Sequence, residues 1–379
     1  MAFNSSSVWT LRKVRQHKLD GDWAIADVRP IGGLWMWGYG FEGQLGNNAA
    51  TRVSSPIQVG SINDWAKIAY AADATMVIKK DGTLWGWGRN VSGQLGDGTT
   101  IDRSSPIKIG ALTNWYAISC STSGETVAIK TDGTLWAWGT SVLNISGYKS
   151  SPVQYGSLTN WSKVSCGYNH VAAIKTDGTL WTWGYNGDGQ LGDGTTVSKS
   201  SPVQVGTSLD WSVVGCGRRQ TLAIKTDGTL WAWGSNGSGE FGNGNTTSST
   251  SPMQVGSGFR TIGCGKPGTT TASYNIAIKT DGTMWATGWG TFGQLGNNAI
   301  TTISTRTQIG SATDWMYVSV GQQHNIAIKT DGSIWGWGYN GNGELGVGDN
   351  TNRSSPTRIG ALNTWKAVAA CAYHSLGIK

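Results

Sequence analysis

The sequence is poor in charged residues, cysteine and histidine. Only 13% of its 379 residues are charged, five are cysteines and four are histidines. This low charge content disfavours a disordered chain or a long charged helix, and five cysteines do not make a disulfide framework. No apolar run is long enough for a transmembrane helix, so insertion into a membrane is not expected.

Several chemical motifs are missing as well. There is no Gly-x-Ser-x-Gly turn to present a nucleophilic serine, and no phosphate-binding loop ending in Gly-Lys-Ser or Gly-Lys-Thr. The cysteine and histidine spacing matches no zinc motif. The first seven residues contain neither a basic nor an apolar segment, so classical secretion is not expected. We therefore expect no catalytic residues, no metal site and no cofactor.

The sequence does contain one motif repeated seven times. Asp-Gly-Thr-Leu-Trp-x-Trp-Gly or a variant opens each unit, and Ala-Ile-Lys or a variant closes it. The spacings between successive units are 50, 51, 45, 50, 54 and 50 residues, which is typical of stacked supersecondary units. The units begin near residues 31, 81, 132, 177, 227, 281 and 331.

Each unit reads as four short strands. In residues 173–184, two β-prone runs flank Asp177-Gly178, which is a strong hairpin signal. Residues 200–206 contain a proline, which suits an outer edge strand because proline cannot donate a hydrogen bond to a neighbour. Residues 210–217 form a fourth, small and apolar strand. Seven such units predict an all-β, seven-bladed β-propeller of four-stranded antiparallel blades over residues 31–379.

The paired tryptophans predict how the blades pack. Alternate residues of a strand share a face, so Trp181 and Trp183 point one way and Thr182 points the other. A bulky face against a face of small residues allows dense packing, which places most of the 22 tryptophans in the core. Unit six differs, because Thr287 replaces the second tryptophan and Trp289 lies beyond the following glycine.

The two ends of the propeller predict how the ring closes. The first unit begins at the second hairpin strand, near Leu34–Gly38, and the last stops after the first hairpin strand, near residues 376–379. We expect these strands to pair in one blade, because pairing removes an otherwise open sheet edge.

The repeats also contain Gly-Gln-Leu-Gly segments, at residues 93–96, 189–192 and 293–296. Together with the tryptophan motif, they resemble the repeats of the regulator of chromosome condensation family, bacterial or bacteriophage type. The resemblance covers residues 31–379 and implies a seven-bladed β-propeller. Members of that family include a guanine-nucleotide exchange factor for a nuclear GTPase, bacterial inhibitors of β-lactamase and many uncharacterised proteins, so the shared fold leaves the function open.

A lysine ends each unit and supplies much of the net charge of +7. We interpret these lysines as a ring of solvated charges at the hairpins, because a nucleic-acid surface needs basic charge concentrated on one stripe. The lysines are Lys79, Lys130, Lys175, Lys225, Lys279, Lys329 and Lys379.

Cysteines and histidines recur at fixed repeat positions. Equivalent strand positions on successive blades should be on the order of 10 Å apart, so the cysteines cannot form disulfides and are expected to be buried. The histidine position holds other residue types in other units, which favours a local hydrogen-bonding role over catalysis. The cysteines are Cys120, Cys166, Cys216, Cys264 and, one place later, Cys371; the histidines are His170, His324 and His374.

Strand direction predicts two faces with different loops. The Gly-Gln-Leu-Gly loops and the loops before the histidine position should emerge on one face, and the Asp-Gly hairpins on the other. Loop 186–194 resembles a calcium-binding loop, but we interpret its Asn, Asp and Gly residues as ordinary turn residues. Irregular loops at 140–148 and 266–273 lie on the first face, and loops on a rigid scaffold favour binding. The candidate recognition residues there are Tyr39, Phe41, Arg89, Tyr168, Tyr185, Arg218, Arg219, Lys266, Phe292, Tyr339 and Tyr373.

Residues 1–30 differ from the repeats in composition. A basic cluster precedes three aspartates, and the alternating pattern is similar to short Trp- and Gly-containing β segments of bacteriophage tail and fibre proteins. We interpret the segment as an assembly segment that docks onto a partner protein from the hairpin face. Its candidate docking residues are Trp9, Arg12, Lys13, Arg15 and Trp23.

These observations favour a non-enzymatic structural or binding propeller. The leading hypothesis is a bacteriophage virion component of tail, collar or fibre type, which binds other virion proteins through residues 1–30 and a host-surface protein or glycan. Nucleic acid is disfavoured as a partner. The alternative is a bacterial adhesin or inhibitor that binds a protein or glycan, either cytoplasmic or exported by a non-classical route. Guanine-nucleotide exchange ranks last, because no exchange wedge or nuclear targeting signal is recognisable.

Overall fold

Seven four-stranded antiparallel sheets make up the described part of the chain, and together they form a seven-bladed β-propeller. The predicted fold class is confirmed. The computed structural model describes residues 31–70, 73–140, 148–266, 268 and 272–379. The predicted docking residues Trp9, Arg12, Lys13, Arg15 and Trp23 lie outside the described residues, so the docking role of residues 1–30 stays a prediction.

We number the blades so that each carries the hairpin of the repeat unit with the same number. The innermost strands, from blade 1 to blade 7, are β27 (Ala367–Ala370), β3 (Trp65–Tyr70), β7 (Trp115–Cys120), β11 (Trp161–Cys166), β15 (Trp211–Cys216), β19 (Phe259–Cys264) and β23 (Trp315–Val320). The second strands are β28 (His374–Ile378), β4 (Ala74–Lys79), β8 (Glu125–Lys130), β12 (His170–Lys175), β16 (Gln220–Lys225), β20 (Tyr274–Lys279) and β24 (His324–Lys329). The third strands are β1 (Leu34–Gly38), β5 (Leu84–Gly88), β9 (Leu135–Gly139), β13 (Leu180–Gly184), β17 (Leu230–Gly234), β21 (Met284–Gly288) and β25 (Ile334–Gly338). The outer strands are β2 (Val53–Gln58), β6 (Arg103–Lys108), β10 (Lys149–Gln154), β14 (Lys199–Gln204), β18 (Ser249–Gly256), β22 (Ile303–Gln308) and β26 (Arg353–Arg358).

Blade 1 contains strands from both ends of the propeller. Strand β1 pairs with β28 in antiparallel register, from Leu34 opposite Ile378 to Gly38 opposite His374. Beyond the strands, the Gly33 N–H donates to the Lys379 carbonyl at 3.0 Å. The predicted closure by pairing of terminal strands is therefore confirmed.

The hairpin motif owes its composition to side-chain hydrogen bonds. Asp81 Oδ1 accepts from the Thr83 N–H at 2.9 Å and from the Thr83 hydroxyl at 2.6 Å. The same hydroxyl accepts from Trp85 Nε1 at 3.0 Å. Gly82 has a φ of +80°, which glycine adopts without steric cost. Asp-Gly-Thr-Leu-Trp is thus a turn in which each polar residue has a partner.

The core of every blade except blade 6 is a cluster of three aromatic rings, in agreement with the predicted tryptophan packing. In blade 3, the Trp115 ring of the innermost strand lies 6.0 Å from Trp136 and 5.7 Å from Trp138, both edge-on. Edge-to-face contacts of this kind stabilise aromatic pairs beyond the area that they bury. Trp138 is 2% exposed, so the second tryptophan of the motif is a core residue.

The repeated lysines are not solvated, so that interpretation is wrong. Lys130 is only 5% exposed, and its Nζ lies 3.4 Å from the centre of the Trp136 ring. Lys379 Nζ lies 3.4 Å from the centre of the Trp35 ring, so the closing blade has the same contact. The hydrocarbon stem covers aromatic surface while the ammonium interacts with the ring faces. Each unit therefore ends in a lysine because the lysine packs on the tryptophans of its own blade.

Blade 6 fills the space of its missing tryptophan with an arginine. Thr287 donates from its hydroxyl to the Gly239 carbonyl at 2.8 Å. Arg306 reaches from the outer strand, and its guanidinium donates to the Phe241 carbonyl at 2.8 Å and lies 5.2 Å from the Phe259 ring centre. The arginine thus provides both the hydrogen-bond donor and the bulk that an indole supplies in other blades.

All five cysteines are buried free thiols, as predicted. Among the described residues, no helix has the length and apolarity that crossing a bilayer requires.

Candidate functional site

The face predicted to carry recognition is built by two sets of connections at the same end of the blades. We call it the loop face, and the end with the Asp-Gly turns the hairpin face. His170 begins a second strand and pairs with Gly184, which ends a third strand, so both connections lie at one end as predicted. The long loops of the loop face are residues 39–52, 89–102, 185–198, 235–248, 289–302 and 339–352.

Polar side chains hold each long loop in shape. Asn186 Nδ2 donates to Asp193 Oδ1 at 3.1 Å and to the Thr195 carbonyl at 3.0 Å. Asn186 Oδ1 accepts from the Leu191 N–H at 2.9 Å. Asn186 Oδ1 and Asp193 Oδ1, two of the oxygens that made this loop resemble a calcium site, are therefore used in hydrogen bonds within the loop.

The Gly-Gln-Leu-Gly segment joins one blade to the next. The Gln94 carbonyl of blade 2 accepts from Trp138 Nε1 and from the Thr126 hydroxyl of blade 3, both at 2.9 Å. We call this arrangement a carbonyl bridge. Gly96 has a φ of +80°, and a Cβ atom there would lie 2.7 Å from Trp138 Nε1. The second glycine of the motif is therefore required by the indole of the next blade.

Carbonyl bridges occur at six of the seven contacts between blades, although at the contact of blades 5 and 6 the Glu240 carbonyl accepts from Asn275 alone, because Thr287 replaces the indole donor. The accepting carbonyls belong to Gln44, Gln94, Gln190, Glu240, Gln294 and Glu344. At the contact between blades 3 and 4, the corresponding loop residues 141–147 lie outside the described residues. Val171 stands there where Thr126 stands in blade 3, and the buried Trp183 Nε1 has no hydrogen-bond partner among the described residues. The Tyr155 ring instead stacks on Trp183, with centres 6.0 Å apart.

The histidine position links blades beside these bridges. His170 Nε2 lies 3.0 Å from the Thr221 hydroxyl, and His324 Nε2 lies 2.8 Å from the Ser375 hydroxyl. Burial lowers the pKa of each of the three histidines to about 3, so all are neutral at physiological pH. The predicted local hydrogen-bonding role of the histidines is confirmed.

Glu125 occupies the same position in blade 3, where the neighbouring side chain is Val171. Its Oε2 is buried and has no hydrogen-bond partner among the described residues. Burial raises the pKa of this carboxyl well above its usual range. Glu125 therefore marks the unbridged contact on the side of blade 3.

The structure brings many of the predicted recognition residues into one aromatic arc across blades 6, 7 and 1. In blade 6, the Phe292 ring lies 5.4 Å from Trp289 and 5.4 Å from Tyr339 of blade 7. In blade 1, the Tyr39 ring lies 5.1 Å from Phe41 and 6.1 Å from Tyr373. The two halves lie on neighbouring blades, and Tyr339 is near enough to Tyr373 to act on its pKa, which is raised by burial first and then by Asp73, Glu344 and Tyr339.

The arc is partly open to solvent. Phe41 is 49% exposed, and the Arg52 guanidinium lies 5.4 Å from its ring centre. The predicted residues of the arc are Tyr39, Phe41, Phe292, Tyr339 and Tyr373. Sequence reasoning missed Trp289 and Arg52, although the shift of Trp289 out of the strand motif was a signal that its ring does not belong to the core.

The other predicted recognition residues lie apart from the arc. Arg218 lies over the Tyr168 ring, 4.9 Å from its centre, and Arg219 pairs with Asp188 at 3.5 Å. Tyr185, in the adjoining loop, is 44% exposed.

The last two candidates differ in their surroundings. Arg89, in blade 2, pairs with Asp73 at 3.4 Å. Lys266 is only 8% exposed, and it lines the central channel rather than the outer surface of the loop face.

Comparisons with known proteins place this architecture in a family. The sequence matches the RCC1-like domain over residues 126–377, which is more than half of the chain. The chain belongs to the RCC1-like family. Regulator of chromosome condensation (RCC1) repeats also match residues 32–78, 81–126 and 65–94, and no curated protein matches the chain.

Solved structures agree with this RCC1-like fold. Human WBSCR16 is 20% identical, with a TM-score of 0.80 over 91% of this chain and 99% of its own. Prp20p from Saccharomyces cerevisiae, described with its binding properties to Gsp1p and histones, is 19% identical, with a TM-score of 0.83 over 96% of this chain and 94% of its own. The yeast RCC1 (Prp20) bound to Kap60 is 18% identical, with a TM-score of 0.83 over 100% of this chain and 94% of its own. At these identities the likeness shows the fold alone.

The buried thiols of this RCC1-like propeller are poor nucleophiles. Burial raises the pKa of Cys120 to about 12 and that of Cys216 to about 11, and a thiol rather than a thiolate reacts slowly. Within the described ranges, no three His, Cys, Asp or Glu side chains stand close enough to hold a metal ion.

Proposed function

We propose that this RCC1-like propeller is a non-enzymatic binding protein that recognises a macromolecular partner with its loop face. The observation that carries the proposal is the aromatic arc, which consists of three contacting rings in blades 6 and 7 and three contacting rings in the neighbouring blade 1, all on that face. Aromatic residues and arginine dominate binding energy at protein interfaces. Their contribution to the binding free energy is largest where a rigid scaffold fixes their positions, because little side-chain entropy is then lost on binding.

The position of the arc favours recognition over structural support. The core tryptophans, such as Trp87 and Trp337, are completely buried within the blades. Phe41, in contrast, is half-exposed and contacts a neighbouring ring only with one edge. A ring that the fold does not need for its own core, but holds in place, is available to a partner.

We further propose that the protein is a bacteriophage virion component of tail, collar or fibre type. Support comes from the uniform repeats and from the composition of residues 1–30, which suit assembly into a larger particle. In that setting, residues 1–30 dock onto other virion proteins, and the aromatic arc binds a host-surface protein or glycan. Deleting residues 1–28 should give a folded propeller that no longer enters the particle, and a variant that still enters the particle would overturn this assignment.

A second candidate function is recognition of a GTPase or of histones, because Prp20p is described with its binding properties to Gsp1p and histones. Three probes separate the candidates: an array of bacterial surface glycans, Gsp1p loaded with GDP, and core histones. Retention on glycans supports the virion proposal, and stimulated GDP release from Gsp1p would replace it with nucleotide exchange.

The arc itself is tested by truncating three of its rings. The variant Phe41→Ala/Phe292→Ala/Tyr339→Ala should lose at least tenfold in affinity for whichever probe binds, because interface aromatics each contribute about 1 to 4 kcal/mol. The control Ile101→Ala/Val197→Ala removes two side chains that are 61% and 62% exposed on the same face but outside the arc. Equal losses in both variants would contradict recognition by the arc.

A further inference from the structure

The hairpin face carries a row of exposed aliphatic side chains. They stand on the connections that lead from an outer strand to the innermost strand of the next blade, and their exposed fractions range from 38% for Ile62 to 66% for Leu209. The connections belong to five successive contacts between blades, from the contact of blades 7 and 1 to that of blades 4 and 5. We call this set the aliphatic row: Leu362, Ile62, Leu112, Leu158 and Leu209.

The aliphatic row lies beside the Asp-Gly turns. The Trp115 N–H, at the start of β7, donates to the carbonyl of Gly82 in the turn of blade 2 at 3.1 Å. The Thr131 N–H, in the turn of blade 3, donates to the Asn114 carbonyl at 2.8 Å. Leu112 stands three residues before Trp115, so it belongs to the hairpin face.

The connections do not require an aliphatic residue for their own fold. At the two remaining contacts between blades, the connections carry Gly258 and Ala312 instead. The Trp315 N–H after Ala312 still donates to the Gly282 carbonyl, at 3.3 Å. The same backbone contact therefore forms without leucine or isoleucine. The aliphatic row exposes apolar surface that the connections themselves do not use.

The chain enters the propeller beside the row. The Ile31 carbonyl accepts from Lys366 Nζ at 2.6 Å, and the Gly32 N–H donates to the Trp65 carbonyl at 3.4 Å. Lys366 immediately precedes β27 of blade 1, and Trp65 begins β3 of blade 2. Leu362 stands four residues before Lys366. The segment that precedes Ile31 is therefore tethered next to the aliphatic row.

This preceding segment contains apolar residues that can cover the row. From residue 30 back to residue 8 the chain can extend over roughly 75 Å. That length exceeds the span of five blade contacts of about 10 Å each. Residues 8–25 lie outside the described residues, and their sequence includes Val8, Trp9, Leu11, Val14, Trp23 and Ile25.

The tether favours a contact within one chain. A linked segment is present at its own binding surface at a high effective concentration, so apolar contacts too weak to join two separate chains can still form. Burial of aliphatic and aromatic surface on both sides supplies the favourable free energy. A row of exposed aliphatic residues beside a tethered apolar segment therefore has an occupant close at hand.

We propose that residues 8–25 dock on the aliphatic row of their own propeller and cover it in the free chain. The contact keeps the row from associating with other molecules, because exposed apolar patches otherwise act as interaction sites. It does not rest on recognition by the loop face. It is also compatible with the virion role proposed above, since a segment held on its own propeller can be transferred to another protein during assembly.

Trypsin digestion of the full chain, followed by mass spectrometry, tests the contact. Cleavage of a docked segment follows the fraction of time for which it is undocked. The variant Leu112→Ser/Leu158→Ser/Leu209→Ser should therefore be cleaved within the segment at least about fivefold faster than wild type. The cleavage sites are Arg12, Lys13, Arg15 and Lys18.

The matched control changes three aliphatic residues of the loop face. Ile101→Ser/Val197→Ser/Ile300→Ser replaces side chains that are 61%, 62% and 66% exposed. Its cleavage rate within the segment should stay within about twofold of wild type, because these residues do not belong to the docking surface. Both triple variants should melt like wild type, since exposed side chains contribute little to stability.

A second variant tests the other side of the contact. Trp9→Ser/Val14→Ser should accelerate cleavage of the segment as the row variant does. Combined with the row variant, it should accelerate cleavage no further, because both remove the same contact. Effects that multiply would show that the segment and the row act independently, and would overturn the proposal.

Three further results would overturn it. One is a wild-type cleavage rate equal to that of the row variant, and another is equal acceleration in the row and control variants. The third is a wild-type rate that rises when the protein is diluted, because the segment would then dock on a second copy. If the triple serine variant does not fold, Leu112→Ala/Leu158→Ala replaces it, since Ala312 shows that the connection accepts alanine.

Discussion

The contact between blades 3 and 4 differs from the other six contacts, which have carbonyl bridges. At a bridged contact, such as that of blades 2 and 3, Gln94 accepts from both Thr126 and Trp138. At the unbridged contact, valine replaces the threonine, and Tyr155 covers the indole with an aromatic face. The residues of the repeat motif are therefore determined by the contact between two blades rather than by a single blade. When the loop changes, the surface that receives it on the next blade changes with it.

The largest effect should come from breaking the closing contact, which has both a bridge and paired terminal strands. Deleting residues 375–379 removes the buried Leu376 and Ile378, the Ser375 bond to the Glu344 carbonyl at 2.8 Å and the lysine on Trp35. Each buried aliphatic side chain contributes about 2 to 5 kcal/mol, so the melting temperature should fall by more than about 10 °C. Lys379→Ala, which keeps the strand, is the control and should cost far less. A deletion that melts like wild type would contradict closure by strand pairing.

Acid should weaken the contacts that use histidine. The folded pKa of His170, His324 and His374 is about 3, below the ordinary 6.5, so the unfolded chain binds more protons between these values. Stability is therefore present above pH 6.5 and is lost as the pH falls toward 3, at about 4 kcal/mol per pH unit for three protons. Urea unfolding from pH 7 to pH 4 measures this slope.

His170→Gln sharpens the acid experiment, because Gln220 occupies the same position in blade 5 and donates to Ser273 at 2.7 Å. The variant keeps a donor but cannot be protonated, so the slope should fall by about one third. An unchanged slope would show that other groups cause the acid sensitivity.

Replacing Glu125 should stabilise the unbridged contact. Because the pKa of Glu125 is raised on folding, the folded state binds the extra proton, and stability falls as the pH rises above the unfolded value near 4.5. Glu125→Gln removes this cost, so the free energy of unfolding at pH 7 should rise. The gain should vanish near pH 4. The control is Glu42→Gln, which makes the same change at a partly exposed carboxylate in a loop of blade 1; a gain of equal size there would contradict a special role for Glu125.

The smallest effect is a difference between two identical substitutions. Trp138→Phe removes an indole that donates to the Gln94 carbonyl, and Trp183→Phe removes one that has no partner among the described residues. Both lose similar packing, so the first should cost about 1 kcal/mol more than the second. Denaturant unfolding of both variants measures the difference, and equal costs would mean that the bridge adds no stability.

Much of the fold was predictable because it depends on patterns that repeat. The spacing of the units, the Asp-Gly turns and the incomplete terminal unit each predicted a feature that the structure confirms. The lysine contact was not predictable from the same patterns. Lys130 and Trp115 are 15 positions apart, and only their pairing across two neighbouring strands brings the ammonium over the rings.

The sequence predicted which residues belong to the candidate site, but not which of them contact one another. The loop face and five residues of the arc follow from chain direction and exposed aromatic types. Whether Phe292 meets Tyr339 depends on the angle between blades 6 and 7, which no local pattern records. Lys266 shows the opposite case, because a basic residue in an inserted loop suggests exposure, and here the loop brings it to the channel.

The pairing of β1 with β28 has a mechanical consequence. Leu34, the first residue of β1, lies opposite Ile378, the last residue of β28. The first strand of the propeller therefore begins beside the point where the last strand ends. A force that pulls these two ends apart acts across the strands, and it opens the hydrogen bonds one after another instead of loading all of them together. The seam that we expect to contribute most to thermal stability should therefore be the one that yields to the smallest force. Under tension applied at its termini, the ring should open at blade 1 while the other six blades are still folded.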